Sequence, residues 1–598
     1  MSTQRRVGIG AAVLIALSLV WRASISARGF LTIDDFPILA QADASGLTPG
    51  YLFGLYNNHL MPAGRLIVFV TERLTGYEYW PYLVLMLLAQ LAVGVAFYRL
   101  LRLMLPAGWA VLVPLCLFLF NPMTLEVSAW WAVGINLLPM QLAMVLAVGA
   151  QVRYLRTGAR KHLVTLALSV LFGLLFFEKA LLIVPLVVLV SLCLYAPGGS
   201  VRSVLTAIRR WWPSWAVLAA ISLPYLGIYL AMQTTSTLRR PSSAAEVGTF
   251  LGQFYGETLA PGLVGGPWTW LDGADGAALS APQEPARWLS WVLVAALMAG
   301  TIWLRRGVAV RAWTLLAIFS AMTATLIAAT RLGSGLSGVA GLVPRYLGDV
   351  VLVAALCVGV AVCGLRRLNA EEEEEEEEAP VTVPVKGLAV AVALLVASSL
   401  YSGVDFASDW GVKAGRDYLR TAQADLAASG PGTVFMDQTV PEAVVPALSY
   451  PWNKQSAFFG PLDDGPVFVF QARALSVFDE SGHVRPAWVE GVSAKPGPLP
   501  GCGYRVTGSR ATKVPLTGAV VDYWQVVRIG YLSDRDTVAT IQVGDRSGVS
   551  FDVHRGLNAM FLLMRVDGDE VTLTVRDPAA NLCTNEIDVG ALVPQPAG

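Results

Sequence analysis

The sequence predicts a polytopic α-helical membrane protein with a separate C-terminal domain of α+β or β-sandwich, jelly-roll-like type. Three observations predict it. The chain of 598 residues is 55% hydrophobic and only 14% charged, more apolar and less charged than soluble globular proteins are. About eleven apolar stretches within residues 1–402 are each close to the roughly 20 residues a bilayer-spanning helix needs. From residue 403 onward the periodicity turns helical and then strand-like, over about 196 residues, enough for a domain with its own core. Lys+Arg and Asp+Glu balance at 43 each, so charge gives no sign of a nucleic-acid partner. The wealth of Gly, Ala, Val, Leu and Arg, with few Lys, suggests a GC-rich genome of the actinobacterial kind.

The spans read near 8–22, 81–99, 107–121, 135–152, 162–177, 180–196, 213–232, 288–304, 312–330, 346–364 and 387–402. The first resembles a signal peptide, with Arg5 and Arg6 before a short apolar run. Arg22 and Arg28 follow it without a clean small-residue cleavage site, so a retained anchor is expected. Basic residues set the orientation. Alternate short loops carry Arg99 and Arg102; Arg153, Arg156, Arg160 and Lys161; Arg202, Arg209 and Arg210; Arg305, Arg306 and Arg311; and Arg366 and Arg367. These loops are expected to be cytoplasmic in a multi-pass plasma-membrane protein, with the N-terminus inside and the C-terminal domain outside. The pair at 162–196 has almost no turn residues, only Glu178 and Lys179 at its middle, with Pro185 inside the following helix. One helix of about 35 residues would run roughly 52 Å, too long for one span, so a tight hairpin or a re-entrant element is expected. The eight glutamates 371–378 read as a solvated linker in the last cytoplasmic loop.

Candidate functional residues concentrate in the segments expected outside. The first, 23–80, holds Asp34-Asp35, then Asn57-Asn58-His59-Leu60-Met61-Pro62. Stretches within 51–72 read as helices lying in the membrane interface. Adjacent carboxylates there repel and pay desolvation, unless they only cap a helix. The next outer loop, 121–134, has Glu126 as its one charge, followed by Trp130 and Trp131. Those tryptophans suit either an interfacial belt or the flat face of a sugar. Glu178-Lys179 is an ion pair at membrane depth, by default a functional feature, or else a structural closure of the turn. Arg345-Tyr346 opens a late span, where free N–H groups, the positive helix end and a guanidinium fork would suit a phosphate. Arg331 ends the preceding span nearby; interfacial snorkelling is the plain alternative for both arginines.

The order of these features resembles the GT-C superfamily of membrane glycosyltransferases, which includes protein O-mannosyltransferases, aminoarabinose transferases of lipid A and mycobacterial arabinosyltransferases. The resemblance covers roughly residues 8–402 in architecture and short motifs. Asp34-Asp35 matches the family's acidic motif in the first outer loop. Glu178-Lys179 resembles its Lys-Glu tip in reversed order, and Arg345-Tyr346 its Arg-Tyr near the lipid-phosphate pocket. The resemblance implies a GT-C-like fold and transfer of a hexosyl or pentosyl unit, arabinosyl or mannosyl for example, from a polyprenyl-phosphate donor. The acceptor would be a cell-envelope or cell-wall glycan or a glycolipid, on the outer face and with inversion. Asp34 is the expected general base, with Asp35 orienting the acceptor. His59, Glu126, Trp130, Trp131 and Glu178 are expected at the acceptor and sugar. Lys179, Arg331, Arg345 and Tyr346 are expected at the donor phosphate. No dense ligand cluster marks a metal site, and a divalent cation joining the acids stays an open alternative. Two other readings compete: a transporter or flippase for lipid-linked sugars, and a non-catalytic scaffold.

Four cysteines, Cys116, Cys193, Cys357 and Cys363, lie in apolar runs and read as core residues. Cys502 and Cys583 lie in the polar region, where a disulfide is expected if that region is outside the cytoplasm. In the C-terminal domain, 405–430 reads as helix and 433–437 as a buried strand. Leu516 to Ile529, Val538 to Val543, Ala559 to Val566 and Val571 to Val575 read as strands split by turns. A carbohydrate-binding role would place Trp452, Trp488, Tyr523 or Trp524 against sugar; core packing is the alternative for each.

Overall fold

The structure, a computed structural model, describes residues 2–196, 201–233, 239–273, 276–366, 368, 385–430, 432–508 and 510–596. Arg367 and the glutamates 371–378 lie outside the described residues. The chain forms two compact units, Met1–Lys413 and Ala414–Gly598.

The first unit is helical and built to cross a membrane. Among the described residues, nine helices are long and apolar enough for a span. One further pair, Trp109–Leu119 with Pro122–Ala129, is bent by 50°. Each of the eleven expected stretches falls on one of these or on the shorter helix Lys161–Phe176, whose 16 residues reach only about 24 Å, less than the hydrocarbon core. The chain does turn back at the expected hairpin. A Cβ on Gly173 would lie 3.0 Å from Ala180 and 3.2 Å from Ile183, an approach that a continuous helix forbids. The break sits at Phe177, in extended conformation, before the 3₁₀ turn Glu178–Leu182.

Burial separates central from peripheral helices. Pro344–Cys363 has 89% of its apolar window buried and Trp131–Thr157 has 72%, whereas Trp212–Met232 and Glu284–Arg305 have 11% each. A helix apolar on all sides belongs at the centre of a bundle. Small residues let its neighbours approach: a Cβ on Gly348 would lie 2.5 Å from Leu137.

The second unit is a sheet domain. Helix Ala414–Ala428 precedes it, separated by residues 411–413 from the last membrane helix, Val385–Trp410. The single helical region expected over 405–430 is therefore two helices, and Trp410 packs within the membrane unit, stacked on Phe406 at 5.5 Å. Among the described residues the sheet has eleven strands in one hydrogen-bonded network. Two long strands, Thr512–Ser533 and Gly556–Val575, form its spine. Along the first, buried positions are even at Val514, Leu516 and Val520 but odd at Val527, Ile529 and Tyr531. The second switches likewise, from Met560, Leu562, Met564 and Val566 to Val571, Leu573 and Val575. The register shifts between Val566 and Gly568 and again between Gly568 and Glu570, with the extra residues on the first strand between Pro515 and Tyr523; on the second strand the faces switch around Gly568, whose φ is 83°. An inserted residue bends a strand and re-aims its faces, so one strand wraps the same core with both halves. The turn expected between Val566 and Val571 is instead part of one continuous strand, at the place where its register with the first strand shifts. Strand Val434–Phe435 pairs parallel with Val467–Phe468 and Ser476–Phe478 over a second core that includes Met436, Val477, Val526 and Phe561. Cys502 and Cys583 are joined by a disulfide. Of the other four cysteines, Cys193 is half-buried rather than core.

Candidate active site

The candidate residues gather at one end of the helical bundle. They follow the ends of helices Thr3–Ser26 and Gly307–Arg331 and precede helices Trp131–Thr157 and Gly348–Cys363.

Asp34 and Asp35 are separated by their surroundings. Asp35 is fully buried. Its Oδ2 accepts from the Thr32 N–H and its Oδ1 from the Ala132 N–H, both at 2.8 Å. Ala132 lies in the first turn of Trp131–Thr157, so Asp35 caps a helix remote in sequence. Burial pushes its carboxyl up to about 8, against the two backbone N–H groups that favour the charged form. Asp35 is thus held by backbone on both oxygens, which pins the loop to the start of helix Trp131–Thr157.

Asp34 is only half-buried. Its Oδ1 accepts from the Tyr56 hydroxyl at 2.9 Å and the Asn57 amide at 3.2 Å. A two-residue turn sets both donors. Tyr56 and His59 exchange backbone hydrogen bonds of 3.1 and 2.7 Å, while Asn57 and Asn58 have φ of 45° and 66°. That is the geometry of a tight hairpin turn, which Asn tolerates. The residue before Asp34, Ile33, also has φ 45°, a strained value for a β-branched side chain. Its Cδ1 occupies the space of a Cβ on Gly276, and Gly276 has φ 68°, so a side chain there would be strained and would displace Ile33.

The same turn delivers His59 to Glu178. Its Nδ1 lies 2.7 Å from Glu178 Oε1, with Phe177 edge-on at 5.4 Å. Burial alone would lower the His59 pKa; the Glu178 carboxylate outweighs it and raises it, with Arg331 opposing and Asp34 assisting. Glu178 Oε2 is buried without a hydrogen-bond partner. The Tyr229 hydroxyl donates to the Asn58 carbonyl at 3.0 Å, which ties the turn to helix Trp212–Met232.

The Lys179 Nζ donates to the Tyr346 carbonyl and to Asp349 Oδ1, both at 2.8 Å, and Asp349 is fully buried. These two bonds tie the hairpin tip to the Arg345-Tyr346 segment. Asp349 also stands in the first turn of Gly348–Cys363, the helix end expected to attract phosphate.

The arginines are assembled on aromatic faces. Tyr346 carries the guanidinium groups of both Arg331 and Arg345 at 5.5 Å from its ring centroid. Arg345 also covers Trp130 at 4.8 Å, and its Nη1 is 3.5 Å from Glu126 Oε1. Glu126 Oε1 accepts from the Ala278 N–H at 2.8 Å. Trp130 and Trp131 are 1% and 2% exposed. Neither is an open sugar platform or an interfacial belt residue: Trp130 supports Arg345, and Trp131 packs edge-on against Tyr82 at 4.9 Å. Both indole N–H groups are buried without a hydrogen-bond acceptor.

Tyr56, Asn57 and Asp349 are the residues that sequence reasoning missed. Asn57-Asn58 carried a turn signal. Asp349, an acid inside an apolar span, carried the signal of a paired or functional charge. Among the described residues no group of three or more His, Cys, Asp or Glu side chains could hold a metal ion.

No family model matches this chain and no curated protein matches it. Solved structures similar to this chain include two of ArnT from Cupriavidus metallidurans, one bound to undecaprenyl phosphate and one in the apo state. Each is 13% identical, with 73% of this chain and 83% of the other covered, at TM-scores of 0.44 and 0.41.

Proposed function

We propose that this chain is a membrane glycosyltransferase of GT-C type that moves a sugar from a polyprenyl phosphate to a cell-envelope acceptor on the outer face of the membrane. One observation carries this reading. A half-buried carboxylate, Asp34, oriented by two side-chain donors, shares one end of the bundle with His59, Arg331 and Arg345. A base beside a cation cluster is what transfer from a phosphate leaving group requires.

Asp34 takes the proton of the acceptor hydroxyl. The hydroxyl oxygen bonds to the anomeric carbon as the bond from that carbon to the phosphate oxygen breaks. The electron pair leaves with the polyprenyl phosphate, and the anomeric centre inverts. Such a leaving group needs no acid, only cations that hold its charge. Arg331 and Arg345, both stacked on the Tyr346 ring, supply two. Lys179 drops out of this set because Asp349 neutralises it. Glu126 sets the tilt of Arg345. The carbohydrate-binding role of the C-terminal domain belongs to the same reading, with Tyr523 and Trp524, 67% and 59% exposed, as its sugar-facing pair.

The test is transfer of radiolabel from a panel of polyprenyl-phosphate sugars to cell-wall fragments by the full-length protein in detergent, beside Asp34→Asn. Transfer that the variant loses supports the enzyme. Binding of lipid-linked sugar without transfer across the panel would move the assignment to transport or scaffolding.

A further inference from the structure

Arg22, which the sequence offers only as a charge flanking the first span, is fully buried in helix Thr3–Ser26. Among the described residues no carboxylate pairs with it. A guanidinium has five N–H donors, and this one makes five hydrogen bonds. Nε and Nη2 donate to the Leu119 carbonyl at 3.3 and 3.0 Å. Nη2 donates to Thr124 Oγ1 at 2.7 Å. Nη1 donates to the Thr124 carbonyl at 2.8 Å and to Ser128 Oγ at 2.9 Å.

These acceptors surround the 50° bend between Trp109–Leu119 and Pro122–Ala129. Breaking a helix frees carbonyls, and a bilayer has no water to satisfy them. Arg22 does so. The bonded positions 124 and 128 are one turn apart and share a face of this segment. Position 126 lies about 200° around the helix from 124, and Trp130 follows the helix end in extended conformation. On that opposite side Glu126 meets Arg345 Nη1 at 3.5 Å, and the Trp130 ring lies 4.8 Å beneath the Arg345 guanidinium. A second set of bonds holds the same end: Ser26 Oγ donates to the Ser128 carbonyl at 3.0 Å, and Tyr79 donates to the Ala129 carbonyl at 3.1 Å.

We infer that Arg22 is a positioning residue for Arg345: it bolts one face of the broken span so that the other face presents Glu126, and the helix end Trp130, to the phosphate-side guanidinium. The inference rests on the glycosyltransferase reading only for the ligand that Arg345 faces. A lysine at this position keeps the charge but offers three donors from one point, which cannot span Leu119, Thr124 and Ser128 together.

The experiment measures binding of undecaprenyl phosphate and of neutral undecaprenol to full-length protein in nanodiscs. It compares wild type, Arg22→Lys, Glu126→Gln and the double variant. The expected result is about a tenfold loss of phosphate-lipid affinity in Arg22→Lys, unchanged undecaprenol affinity, and no further loss when Glu126→Gln is added. Ser128→Ala, which deletes one bond of five, is expected to lose two- to threefold and serves where Arg22→Lys does not fold. Equal loss for both lipids, additive effects of the two substitutions, or unchanged affinity in Ser128→Ala with Arg22→Lys unfolded would overturn the positioning role. A wild type that does not distinguish the two lipids would instead sink the glycosyltransferase reading itself.

Discussion

The acidic loop and the cationic segment of this site differ in how they divide their charges. In the loop, two adjacent aspartates have opposite fates: Asp35 is fixed by two backbone N–H groups, and Asp34 stays half-buried on side-chain donors. Around 331–349, the lysine is committed to Asp349 while two arginines share the face of Tyr346. A compact ammonium is the more strongly hydrated ion and needs a full counter-charge when buried, whereas a guanidinium can stack on a ring. On the cationic side the lysine takes a carboxylate and a backbone carbonyl, while Arg345 takes both a carboxylate, Glu126, and the aromatic faces. On the acidic side position alone decided which charge became structural.

The comparison breaks first at the aspartates. Asp34→Asn is expected to lower transfer about a thousandfold, within the range of a lost general base, with little change in unfolding temperature. Asp35→Ala is expected to do the reverse in kind. It leaves two buried N–H groups without an acceptor, at about 1–3 kcal/mol each, and shows as a lower unfolding temperature and poor recovery. Similar behaviour of the two variants in both assays would erase the distinction.

On the cationic side, Lys179→Met is expected to cost about 3–5 kcal/mol by leaving Asp349 buried and unpaired. Lys179→Met with Asp349→Leu should recover much of that loss in thermal unfolding. No recovery would mean that Lys179 stabilises through something other than this pair.

A pH series sharpens the assignment of Asp35. Its folded value of about 8 lies above the unfolded value of about 3.9. The protonated form is therefore the one that folding favours. Its stabilisation is complete below about pH 4 and is lost as pH rises through about 8. The wild-type unfolding temperature should fall across that window by more than that of Asp35→Asn, which cannot ionise. Parallel curves would refute it. The smallest effect is expected at Tyr346: Tyr346→Leu should weaken phosphate-lipid binding several-fold by removing the ring beneath both arginines, and Tyr346→Phe should restore it.

Much of the membrane unit was legible because each span states itself locally. An apolar run of helical length has one low-energy form in a bilayer, so all eleven stretches fell on helices. The site was legible as a set of residues but not as a set of roles. Trp130 and Trp131 read as surface aromatics because they follow a loop acid, yet the bundle buried both. Lys179 read as a phosphate cation because Asp349 lies 170 residues further on. The β strands were legible from alternation, but the join of 556–575 into one bent strand was not, since a Gly flanked by aspartates reads as a turn as readily as a bulge.

By itself, the sequence determined that this chain crosses a membrane many times, carries a β-rich C-terminal domain, and groups its acids and arginines between spans. Composition and periodicity act over a few turns and need no partner. Only the tertiary structure decided which charges are committed: Asp35 to a helix end 97 residues away, Lys179 to Asp349, Arg22 to a broken span. The reason is physical. In a medium without water a charge is satisfied by whatever the fold brings to it, and that partner is distant in the chain.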